Sequence, residues 1–68
     1  MKIKNIAASG ALVEVSADEI VTLNNALNEV CNGVGLDGEF DTRMGCSVEQ
    51  ARHLLSEINQ LGDLIGRR

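Results

Sequence analysis

Residues 16–33 read Ser-Ala-Asp-Glu-Ile-Val-Thr-Leu-Asn-Asn-Ala-Leu-Asn-Glu-Val-Cys-Asn-Gly. Ser16 followed three residues later by Glu19 is a capping box: the serine oxygen accepts an orphan N–H of the first turn, and the glutamate reaches back. Ile20, Leu23, Leu27, Val30 and Cys31 then recur at helical spacing. The pattern predicts an amphipathic helix over 17–32, stopped by Gly33. A second box, Ser47-Val48-Glu49-Gln50, opens another, with the stripe Val48, Ala51, Leu54, Leu55, Ile58 and Leu61. That helix is expected over 47–62. Gly62 is read as its end and 63–68 as a tail, although Leu64 and Ile65 would prolong the same face. Residues 33–46 read as a glycine-rich loop.

Before the first helix, residues 2–8 and 11–16 alternate enough to be strands, with Ser9-Gly10 as a two-residue turn. That turn sets Ile6 opposite Val13, Lys4 opposite Val15 and Ala8 opposite Ala11. The expected order is ββαα: an α+β fold, an N-terminal β-hairpin followed by two amphipathic helices, in a single small domain over 1–68. A lone two-stranded hairpin is marginal in water, so the chain is expected to be a homo-oligomer.

Composition narrows the function. Sixty-eight residues exclude a Rossmann domain or a TIM barrel. Phe40 is the one aromatic residue, so Ile, Leu, Val and Ala must build the core. A chain this short is marginally stable without a staple or partner, which favours a binding module over an enzyme. Six basic against ten acidic residues give a net charge of −4, the wrong sign for a surface that tracks phosphates. Direct nucleic-acid binding is therefore not expected, whereas a basic protein partner fits. Two cysteines are too few for a disulfide scaffold. No leader or membrane-length apolar run is read, so a cytoplasmic location without membrane association is expected.

Asn24, Asn25, Asn28 and Asn32 fall on roughly one side of the first helix. Asparagine is a poor helix former, and a row of amides offers donors and acceptors without charge. It equally reads as a polar surface with a cap at Asn32. The loop contains Gly-Val-Gly-Leu-Asp-Gly over 33–38, but a dinucleotide fingerprint needs a preceding strand and a following helix, so that reading is rejected. Asp37, Glu39 and Asp41 share one side of an extended segment. Phe40 is expected to anchor the loop. Arg43 is expected to pair with a loop carboxylate or with Glu29, and is also suited to reading an anion. His53 reads as surface, Cys31 as a small core residue, and Cys46 as a staple before the second helix. No catalytic set, metal spacing or cofactor motif assembles.

The run Leu23-Asn24-Asn25-Ala26-Leu27-Asn28-Glu29-Val30, followed by Glu39-Phe40-Asp41-Thr42-Arg43-Met44-Gly45, resembles a family of small bacterial proteins in which LNxALNEV precedes EFxTRxG. In size and character these are similar to immunity proteins and phage anti-defence proteins, which act by binding. The resemblance singles out Asn24, Asn28, Glu29, Gly33, Glu39, Thr42, Arg43 and Gly45. Combined with the amide row, the expected partner-binding residues are Asn24, Asn28, Glu29, Asn32, Glu39, Thr42 and Arg43. The expected function is non-enzymatic: an inhibitor, immunity or anti-defence protein that neutralises a protein target by occlusion. The alternative is an oligomeric sponge for a small anionic, nucleotide-type ligand, with its site at an interface.

Overall fold

A computed structural model describes residues 1–33 and 39–66. In chain order the elements are strands β1 (Lys2–Ala7) and β2 (Gly10–Glu14), helix α1 (Ala17–Asn28), a π-helical turn (Glu29–Gly33), helix α2 (Phe40–Met44) and helix α3 (Val48–Gly66). The architecture is α+β, an antiparallel hairpin followed by helices. The glycine-rich sequence over 33–38 lies outside the described residues, apart from Gly33.

Both capping boxes form. The Ser16 N–H donates to Glu19 Oε1 at 2.9 Å, and the Glu19 N–H donates to Ser16 Oγ at 3.1 Å. The Ser47 N–H donates to Gln50 Oε1 at 2.8 Å, and the Gln50 N–H to Ser47 Oγ at 3.1 Å. Four orphan donors are thereby satisfied, and each helix start is fixed by the chain itself. Ile20 and Ala51, 3% and 2% exposed, are the buried apolar side chains among the described residues. Each stands at the fourth helical position after a box, and the residues before the boxes, Val15 and Cys46, are half-buried. These are the positions of a hydrophobic staple.

Gly62 lies beside Ile20, since a Cβ placed on it would meet Ile20 Cγ2 at 3.8 Å. The Asn24 side-chain amide donates to Asn59 Oδ1. These two contacts make α1 and α3 antiparallel. On α3 the shielded positions are Val48, Ala51, Leu55, Ile58, Gly62 and Ile65, and on α1 and its extension Ile20, Asn24, Leu27 and Cys31, flanked by half-buried Glu19 and Val30. The alternating three- and four-residue spacing is that of a coiled-coil seam. It corrects the expected stripes, because Leu23, Leu54 and Leu61 fall beside the seam and are exposed.

Two element boundaries differ from expectation. The segment 33–46 is not all loop: Phe40–Met44 is helical, and Gly45 ends it at φ +73, its N–H donating to Asp41 O at 2.9 Å. A positive-φ glycine after the last turn is the usual way to terminate a helix. Likewise α3 does not stop at residue 62 but runs on to Gly66. Ile65 keeps the seam three residues past Gly62, and packing there outweighs the low helix propensity of one glycine. Because a Cβ at position 62 meets Ile20 at ordinary contact distance, Gly62→Ala is expected to raise unfolding free energy by about 0.5–1 kcal/mol. Urea denaturation checks this, and a loss of stability would contradict the contact geometry.

The hairpin register also differs. Ala7 pairs with Gly10, Ile6 with Ala11 and Asn5 with Leu12; after an irregularity at Lys4, Ile3 pairs with Val13 and Lys2 with Glu14. The turn is therefore Ala8-Ser9, and Gly10 belongs to β2. Among the described residues only Gly45 has positive φ, so this turn does not use the left-handed conformation expected of glycine. Two-residue turns without positive φ match strand twist poorly, and the bulge at Lys4 restores local twist. The bulge has a second effect. Ile3 and Ile6, three apart, would point to opposite faces of a regular strand; the extra residue puts both on the face of Ala11 and Val13.

The Met1 ammonium pairs with the Glu19 carboxylate and ties the hairpin to α1. Together with the Ser16 backbone N–H, it holds the Glu19 carboxyl below its ordinary value. A depressed carboxyl pKa stabilises the fold above the unfolded value, and that contribution disappears as pH falls through the folded value. Acid titration of the melting temperature is thus expected to show a drop below the usual glutamate range that Glu19→Gln removes. An unchanged acid limb in Glu19→Gln would exclude this carboxylate as its source.

The molecule is a thin slab of 38 × 32 × 15 Å. Its radius of gyration is 13.5 Å, against about 11 Å for a compact chain of this length. Its accessible surface is 5397 Å², roughly 1,200 Å² above the value expected for its mass. The strands pack on each other and α1 packs on α3, but the hairpin lays no comparable face on the helices. None of the described helices is long and apolar enough to cross a membrane.

Candidate functional site

The antiparallel pairing of α1 and α3 places the π-helical turn beside the start of α3, and it contacts that helix. Only Gly45, Cys46 and Ser47 separate α2 from α3. Glu29 and Asn32 therefore lie at the end of the helical pair where α3 begins, and α2 precedes that start by three residues.

The predicted residues divide into three groups there. Asn24 is drawn into the seam, its amide spent on Asn59. A polar residue at one seam position fixes the register of two helices at some expense of stability, and Asn24, half-buried, holds such a position. Sequence reading missed Asn59; the available signal was an asparagine directly following seam residue Ile58. Asn28 and Asn32 come together, the Asn32 amide donating to Asn28 Oδ1 at 3.0 Å. Glu39 and Arg43 form the third group, with Arg43 Nη1 at 4.0 Å from Glu39 Oε2. Thus Arg43 takes the loop carboxylate rather than Glu29. Thr42 is exposed on the same short helix. No hydrogen bond or ion pair joins the amide pair to the Glu39–Arg43 pair among the described residues.

Charge at this end is poorly compensated. Glu29 opens the π-helical turn that continues α1 to Gly33, about one turn before the negative end of the helical run, and no basic residue stands in the last turn of either segment. A carboxylate is unfavourable at that position, where lysine or arginine would be favourable. Glu29 and Asp41 make no ion pair among the described residues, and the exposed Glu39–Arg43 contact is too long and solvated to contribute much.

The residues weighed for chemistry are dispersed. His53 Nε2 lies 3.7 Å from Glu57 Oε1 on the exposed side of α3. Cys31 and Cys46 are free, half-buried thiols. Among the described residues no three His, Cys, Asp or Glu side chains converge as metal ligands. Asp37 of the acidic segment lies outside the described residues. No known protein family, curated protein or solved structure matches the chain.

Proposed function

We propose that the chain is a non-enzymatic binding protein of the inhibitor, immunity or anti-defence type, and that it neutralises a protein by covering a basic surface. The observation that carries this reading is Glu29. A carboxylate about one turn from the negative end of the helical run that α1 and the π-helical turn form, with no base in the last turn of either, is a local conflict that folding alone does not need. Conflicts of this kind concentrate at functional sites, and a cationic partner surface would resolve this one. Glu39 and Asp41, exposed just before and within α2, extend the acidic surface, and Thr42, Asn28 and Asn32 supply uncharged donors and acceptors.

The net charge of −4 agrees with such a partner. The ligand-sponge alternative gains no specific observation, because Asn24 is consumed in the seam and Arg43 faces a carboxylate. The test is reversal of Glu29, Glu39 and Asp41 to lysine, which is expected to abolish capture of the protein target.

A further inference from the structure

We infer that β2 is a self-association edge: it pairs antiparallel with β2 of a second copy about a two-fold axis at Leu12, giving a four-stranded sheet in the order β1–β2–β2–β1. The inference uses none of the residues of the proposed acidic site.

Among the described residues the sheet has two strands, and each has one edge without a strand partner. A two-stranded hairpin needs either more strands or a helix against its face to be stable. The helices do not provide that face, since α1 packs on α3 rather than on the hairpin. Ile3, Ile6 and Leu12 stand 64%, 71% and 66% exposed. A second copy is the occupant that the strand itself specifies.

The two edges are not equivalent. β1 carries Lys2, Lys4 and the bulge, which are the devices that discourage strand addition. β2 reads Gly-Ala-Leu-Val-Glu and has no lysine or proline. Joining two copies through β1 would line four lysines along one seam. Joining them through β2 about its central residue sets Leu12 opposite Leu12, Ala11 opposite Val13 and Gly10 opposite Glu14. No like charges oppose each other, and every pair is acceptable to its symmetry mate. Ala11 and Val13 share a face with Ile6 and Ile3, so this register also joins the two small apolar faces into one across four strands.

The test is a charge exchange at the axis. Sedimentation equilibrium of the full chain should give twice the 7.3 kDa chain mass. Leu12→Asp and Leu12→Arg each place like charges opposite one another, and each should weaken the dimer at least about tenfold, since like-charge juxtaposition costs several kcal/mol. An equimolar mixture of the two should recover the dimer mass. Leu12 is exposed in the single chain, so helical circular dichroism should be retained in both variants. If either variant loses it, Leu12→Cys takes its place: oxidation should then give a disulfide between position 12 of two copies, identified by peptide mapping. A wild-type chain that stays monomeric at several hundred micromolar overturns the inference, whether or not it takes up a foreign peptide strand. So do single variants that dimerise like wild type, a mixture that fails to re-form the dimer, or a Leu12→Cys chain that yields no such crosslink.

Discussion

Replacing Ile20 with alanine is expected to lower the melting temperature by about 10–25 °C. Ile20 is 3% exposed, lies on the seam, and sits beside Gly62 of α3. Truncation removes buried methylenes and leaves a cavity, which together cost about 2–5 kcal/mol in well-packed cores. A domain of this length has roughly 3–10 kcal/mol in total. Only Ala51 is comparably buried among the described residues, so little remains to absorb the loss. Leu54→Ala is the internal control. Leu54 is about half-exposed beside the seam, and its truncation should shift the melting temperature by only a few degrees. Thermal unfolding followed by far-ultraviolet circular dichroism, at one fixed protein concentration, checks both. Equal shifts in the two variants would contradict the seam assignment.

The helices were legible because their starts are written locally. Ser16 with Glu19 and Ser47 with Gln50 need no tertiary information to form, and the ββαα order follows from them and from the alternation of the first residues. What was not legible depends on choices between near-equal local options. Ser9-Gly10 offers the glycine that hairpin turns favour, yet the chain turns at Ala8-Ser9 and absorbs the twist at Lys4. A shift of that kind moves every side chain on the strand, so the faces could not be assigned from sequence. Leu54 and Leu61 lie within one helical step of the true seam, and only the partner helix decides which flank is covered. The Asn24–Asn59 contact spans thirty-five residues, and periodicity in one helix carries no trace of it. At the candidate site, Arg43 was singled out by its residue type, and Glu29 and Glu39 through the resemblance. Placing Glu29 beside the start of α3 required the antiparallel packing of α1 and α3.

Reversing Glu29, Glu39 and Asp41 to lysine is the change with the largest expected effect on function. Each reversal moves the charge two units positive, so the net charge of −4 changes sign. Against a basic partner, attraction at three positions becomes repulsion. With several kcal/mol at stake, the loss of affinity is on the order of a hundredfold or more. The fold should tolerate the change, because all three residues are exposed and a lysine at position 29 suits the last turns of the helical run that α1 and the π-helical turn form. Asp18 on α1 with Glu57 and Asp63 on α3 provides the matched control, since reversing them alters net charge equally away from the site.

The measurement is native mass spectrometry of the tagged chain recovered from bacterial extract, comparing wild type with the two triple variants. The account predicts a stoichiometric complex with one protein in the wild type and in the Asp18/Glu57/Asp63 control, and no complex in the Glu29/Glu39/Asp41 variant. A complex that survives reversal at all three positions would contradict it, as would a wild-type chain that carries only a small-molecule adduct.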